Sequence, residues 1–183
     1  MEKDKKIVLA YVISLAIIFP SAFILHEFSI ITIGFPEKIE KEIEFTRVVN
    51  VDKLALFETM ADIQNYPKIL PNNIISIIII NQSENVIFAK ETISELGITI
   101  DIIAKHMLFP PDKHIVTIID GDAKNSTITI MLDELNSSTK LTTKIEMELR
   151  GVLAPFGFIP ENQIQNAMNT VISGFVDYTN KKP

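Results

Sequence analysis

From residue 43 to the C-terminus, short apolar runs alternate with turn chemistry. Ile43 to Val51 predicts a first strand, with apolar and polar positions alternating as on a half-buried sheet. Asp52 is a good helix N-cap, and the residues after it predict a short helix with Leu54, Phe57 and Met60 on one face. Asp62 to Leu70 predicts a second helical piece, broken by Pro67 and ended by Pro71 and Asn72. Six strand candidates follow: Ile74 to Ile80, Val86 to Leu96, Ile98 to Phe109, Lys113 to Ile119, Thr127 to Leu132 and Lys140 to Leu149. The turns between them are short and rich in Asn, Gly, Pro, Ser and Asp, so successive strands pair antiparallel. In the last strand Leu141, Thr143, Ile145, Met147 and Leu149 face one way, and Thr142, Lys144, Glu146, Glu148 and Arg150 face the other. One face of the sheet is therefore covered and one is wet. Pro160 suits a helix start, and Ile164, Met168, Val171, Phe175 and Tyr178 make a single apolar stripe over Glu161 to Tyr178.

The order is thus strand, two short helices, six strands and one long helix. It predicts an α+β fold: a curved seven-stranded antiparallel sheet wrapped around the C-terminal helix. Such an arrangement encloses an apolar hollow between sheet and helix.

The first forty residues follow another pattern. Residues 1–6 form a charged head with Lys3, Lys5 and Lys6, and Ile7 to Leu25 carries no charge at all. This run is close to the roughly twenty residues that cross a hydrocarbon core. His26 and Glu27 interrupt it before the chain continues apolar to Phe35. Three readings are open: a retained signal anchor over residues 7–35, a cleaved signal peptide with Pro20 as its break, or a buried core helix. The anchor leads, with residues 36–42 as a linker and residues 43–183 as the folded domain. The lysines of the head place the N-terminus inside and the domain outside the membrane. Three N-x-S/T sequons, at Asn81, Asn125 and Asn136, fall in predicted turns and agree with an outside domain, although composition alone yields one or two.

Composition narrows the chemistry. The formal net charge is -6, which argues against nucleic acid as the partner. With no Cys, disulfides, thiolate metal sites and thiol nucleophiles are excluded. Isoleucine occurs 33 times and favours strands. No nucleophile elbow, zinc-helix motif or Gly-rich phosphate loop occurs. Asp120 and Asp122 around Gly121 supply too few oxygens for a calcium loop, and Asp133–Glu134 is a turn pair. No metal and no cofactor is expected.

The stretch Met60-Ala-Asp-Ile-Gln-Asn-Tyr-Pro-Lys-Ile-Leu-Pro71, placed after a first strand and helix and before the sheet, resembles the D-x-x-x-Y-P-x-x-x-P motif of START-like proteins. Its nearest branch is the polyketide cyclase/dehydrase and coenzyme-Q-binding group. The resemblance covers roughly residues 43–180. It implies a helix-grip fold holding a hydrophobic ligand between the sheet and the last helix, and it places Tyr66 and Pro67 at the pocket rim.

Other candidates come from the residues themselves. His106 shares a strand face with Ile98, Ile100, Ile102, Ala104 and Leu108, so it is the one polar group expected to orient a ligand carbonyl or hydroxyl, and the only weak catalytic candidate. His114, at a strand start after Pro111-Asp112, is expected in solvent. Phe156, Phe158, Met168 and Phe175 are expected to wall the cavity. Three functions compete. The leading one is a membrane-anchored carrier or chaperone for a lipid, quinone or polyketide-like molecule. The others are a cyclase/dehydrase-type enzyme using a pocket His, and a packed scaffold with no ligand.

Overall fold

The computed structural model describes residues 38–95, 98–121 and 123–182. Strand β1 (Lys38–Val49) leads through Asp52 into helix α1 (Lys53–Ala61). The Asp52 carboxylate accepts from the Ala55 N–H at 2.9 Å, as an N-cap should. A 3₁₀ turn (Ile63–Asn65) and one turn of helix, α2 (Tyr66–Ile69), follow. Then come β2 (Ile74–Gln82), β3 (Val86–Glu95), β4 (Ile98–Phe109), β5 (Lys113–Asp120), β6 (Thr127–Leu135) and β7 (Ser138–Arg150). A 3₁₀ stretch (Gly151–Phe158) connects to helix α3 (Glu161–Lys181).

The seven strands form one antiparallel sheet in the order β1-β7-β6-β5-β4-β3-β2; β2 to β7 are the expected run of antiparallel neighbours, and β1 joins the sheet beside β7 instead of β2. Register irregularities in β2 and between Ile103 and Ala104 of β4 bend the sheet. Its concave face carries the core. Ile43, Phe45, Ile87, Leu108, Ile130, Leu132, Leu141 and Ile145 from the strands meet Leu56, Phe57 and Met60 of α1 and Ile172 and Phe175 of α3. The predicted α3 stripe faces this core: Ile164, Met168, Val171 and Tyr178 are partly buried against it. Ile172, Val176 and Thr179 widen it. The backbone of α3 comes closest to α1, α2 and β1. Gly174 permits the α2 approach, since a Cβ there would lie 2.5 Å from Leu70 Cδ2.

Several local expectations are corrected. β1 begins at Lys38, five residues before the predicted strand, because the Lys38–Glu42 alternation pairs in register with β7 from Arg150 to Glu146. Leu54 is 52% exposed, and Leu56 and Thr59 take its place beside Phe57 and Met60. Pro67 does not break a helix: it sits in the first turn of α2, where its missing N–H costs nothing. Asn81 lies in β2, not in a turn. Among the described residues no helix is long and apolar enough to cross a membrane. The segment over residues 7–35, expected to be the anchor, lies outside the described residues.

Candidate functional site

Strand parity brings three ionisable side chains onto the concave face. On β3 the inward positions are Ile87, Ala89 and Glu91; on β4 they are Ile102, Ala104, His106 and Leu108. His114 of β5 stands opposite Leu108 and therefore points inward too. Glu91, His106 and His114 are 4%, 1% and 2% exposed. They form one chain of hydrogen bonds: Glu91 Oε1 lies 2.6 Å from His106 Nε2, and His106 Nδ1 lies 3.1 Å from His114 Nε2. Glu91 reaches His106 across the paired Ala89 and Ala104, whose small side chains leave the space between them open.

The donor assignment follows from the chain. The Glu91 carboxylate accepts from His106 Nε2–H, a charge-assisted contact by its length. With His106 neutral, its Nδ1 accepts from His114 Nε2–H; with His106 charged, the direction reverses. In both cases the relay ends at His114, whose Nδ1 takes no part in it. Burial, and then the charge of His106, push the His114 pKa down to about 3, so this imidazole is neutral across the physiological range.

Tyr66 closes the relay from the side. Its ring meets His106 edge-on at 6.2 Å and Phe175 at 5.2 Å, and its hydroxyl donates to the Met60 carbonyl at 2.6 Å. Burial first and the Glu91 charge second raise its pKa well above the ordinary 10. Across the sheet, Thr143 of β7 lies on the rung of His114 and Ile130. Thr143 is fully buried, and its hydroxyl has no partner among the described residues. Two strand spacings, about 10 Å, separate it from His114.

The interior is tightest beneath α1, where Leu56, Met60, Ile63, Leu132 and Leu141 are essentially unexposed. It loosens toward the 3₁₀ stretch. There Ile100, Ile118, Met147 and Phe156 are partly buried around Ala123, Leu149 and Leu153. Met147 joins this cluster to the main core, where Ile128, Ile164 and Met168 are also only partly buried. Among the described residues, open surface hollows include one of about 450 Å³ among Glu40, Lys41, Glu42, Asn125, Glu146, Met147 and Glu148, and one of about 420 Å³ among Thr46, Arg47, Asn169, Thr170 and Ser173. Neither lies between the central strands and α3.

The structure sorts the expected site residues. His106 faces the concave interior as predicted, but Glu91 and His114 occupy both its ring nitrogens, leaving none to meet a ligand directly. Tyr66 is 7% exposed and lies in the core, not on a rim; Pro67 is half-buried beside it. Phe175 is buried and Met168 half-buried against the same core. Phe156 belongs to the looser cluster. Phe158 is 66% exposed, so it is no cavity wall. In a 3₁₀ stretch residues three apart share a side, so Leu153 and Phe156 go inward and Phe158 outward. His114, expected in solvent, is buried, because the β4–β5 hairpin pairs it with inward-facing Leu108. Glu91 is not among the residues expected at the site, although its parity with Ile87 and Ala89 marks it as a charge on an apolar face. Among the described residues no group of three or more His, Cys, Asp or Glu side chains could hold a metal ion.

No family model matches the chain, and no curated protein matches it. Solved structures do. The Zhui aromatase/cyclase from Streptomyces sp. R1128 aligns at 12% identity and TM-score 0.62 over 78% of this chain and 94% of its own. A START superfamily protein from Mycobacterium smegmatis aligns at 12% identity and TM-score 0.63 over 76% and 97%. Norcoclaurine synthase from Thalictrum flavum aligns at 12% identity and TM-score 0.61 over 80% and 90%. At such identities the likeness speaks to architecture, and on that ground this chain has the START-like helix-grip fold.

Proposed function

We infer that this domain binds an apolar small molecule bearing a carbonyl or hydroxyl, in the concave space between the sheet and α3, and serves as its carrier or chaperone. The observation that carries the reading is hydrogen-bonding capacity left unspent inside an apolar face. Among the described residues Thr143 Oγ1 is buried without a partner, and the Glu91–His106–His114 relay reaches the same rung of the sheet. A buried polar group without a partner is costly, so an occupant that bonds to the Thr143 hydroxyl gains what the empty protein forgoes. The partly buried Ile100, Ile118, Met147, Phe156, Ile164 and Met168 supply the apolar way in. The aromatase/cyclase and START neighbours share the architecture that would house such a site.

Binding is favoured over acid–base catalysis by one magnitude. A general base works best with a pKa near the operating pH. His114, the relay member with a ring nitrogen outside the chain of bonds, is held at about 3. It can hold a hydroxyl or carbonyl in place, but it is too weak a base to take a proton at neutral pH. His106 is better read as a positioning residue for His114 than as a catalytic one.

The charge-free run Ile7 to Leu25 would tether the domain to a membrane, with residues 1–6 inside and the domain outside. That tether would put the site within reach of membrane-derived ligands. The test is extraction of the full chain in mild detergent followed by mass spectrometry of what remains bound. A defined apolar molecule near one per chain is expected; a protein consistently free of any such molecule overturns the reading.

A further inference from the structure

We propose that the seam between β1 and α3 is a binding site for a phosphate group, built on Arg47. Arg47 occupies an inward register position on β1, between Phe45 and Val49, and reaches across to α3. Its Nη1 donates to the main-chain oxygen of Asn169 at 2.7 Å and to Ser173 Oγ at 2.9 Å. Nη2 and Nε have no partner among the described residues, and none of their carboxylates pairs with this cation. Arg47 is half-buried and lines the open hollow of about 420 Å³ with Thr46, Asn169, Thr170 and Ser173. Asn169, one of these lining residues, has a side-chain oxygen that is buried without a partner among the described residues.

The two features select one chemistry. The unspent guanidinium edge is a planar fork of N–H donors matched to two anionic oxygens. A lysine could have made the contacts to α3 from a single nitrogen, so tying the strand to the helix does not explain the fork. A cation taken partly out of water without a counter-ion is costly, and an anion removes that cost. The orphaned Asn169 oxygen asks for a donor at the same spot. A phosphate that keeps one P–OH group, as inorganic phosphate partly does near neutrality and a phosphomonoester does below its second pKa of about 6, supplies both: anionic oxygens for Arg47 and a hydroxyl for Asn169. Arg150 shows the contrasting case, because its Nε and Nη2 are already spent on Glu148 Oε1 at 3.0 and 2.8 Å.

Arg47 and Arg150 are the chain's two arginines, which makes the test direct. The full chain, labelled with nitrogen-15 arginine and held in detergent micelles, is titrated with inorganic phosphate against sodium chloride at matched ionic strength. In a second arm it is placed in phosphatidylcholine nanodiscs with and without phosphatidic acid. The Arg47 Nε–H resonance is expected to shift saturably while Arg150 stays still. A response to inorganic phosphate assigns a free phosphate; a response confined to phosphatidic acid assigns a lipid headgroup. Arg47→Lys, with its fold checked by circular dichroism, is expected to weaken binding about tenfold, because it keeps the charge and loses the fork. Both arginines moving together with salt, or neither moving in either arm, overturns the proposal. The wild-type titration decides this even where the variant fails to fold.

Discussion

Glu91 Oε1 and His106 Nε2 meet at 2.6 Å inside the core, across the opposed alanines Ala89 and Ala104. Replacing Glu91 with Leu leaves the His106 N–H buried and unpaired. The expected loss is about 1–3 kcal/mol, the cost of an unsatisfied buried donor. Glu91→Gln keeps an acceptor and should lose less. Urea unfolding of both variants against the wild type checks the order; equal stability of Leu and wild type would show that the bond contributes nothing.

His114 sets an acid limit. In the unfolded chain a histidine titrates near 6.5, whereas in the folded chain this one is held at about 3. The unfolded state therefore takes up the proton first. Stability is full above about pH 6.5, falls through the window down to about 3, and levels off below it, with a slope near 1.4 kcal/mol per pH unit from this group. His114→Gln keeps a donor for His106 and does not titrate, so its acid unfolding should be shallower across that window. Denaturation midpoints measured from pH 7 to 4 provide the comparison; parallel curves would contradict it.

Much of this architecture is legible from alternation alone. The strands and the α3 stripe follow from period-two and period-3.6 patterns, and the short turns give the antiparallel order from β2 to β7, but the pairing of β1 with β7 has no local signal. The site was harder. Parity within β4 places His106, but His114 needs the pairing across the Pro110-Pro111 turn, which fixes Leu108 opposite it. Glu91 was readable as the inward member of Ile87, Ala89, Glu91, yet a lone carboxylate on an apolar face gives no hint of a partner fifteen residues away. Phe158 turns outward because a 3₁₀ stretch has its own period, which an apolar run does not announce. The phosphate seam has no local signature at all, since Arg47 and Ser173 meet only in three dimensions.

Thr143→Val separates the empty state from the loaded one. The substitution removes a buried hydroxyl that has no partner and keeps the shape. The ligand-free protein should gain about 1 kcal/mol, because an apolar group replaces an unpaired polar one. The same change should weaken retention of a ligand that bonds there. Thermal melts of stripped and loaded samples check both signs; a loss of stability in the stripped protein would mean the hydroxyl is already satisfied.

Tyr66 should resist ionisation. Its ring is buried, and Glu91 adds negative charge nearby. Of the chain's three tyrosines, this one should stay protonated above pH 10 until alkaline unfolding releases it. Tyr66→Phe also loses the bond to the Met60 carbonyl, at an expected cost of about 0.5–1.5 kcal/mol. Ultraviolet difference titration of wild type and variant reads the first point, and urea unfolding the second.

The most direct trial of ligand binding is to plug its apolar approach. Met147 links the two apolar clusters and is only partly buried, so Met147→Trp fills the path without adding charge. Wild type and variant are extracted side by side in the same detergent, and the apolar molecule bound per chain is counted by mass spectrometry. The account predicts close to one in the wild type and a drop of about tenfold in the folded variant, a difference of about 1.4 kcal/mol in retention. Equal amounts in both would place the molecule elsewhere on the chain and contradict a site between the sheet and α3.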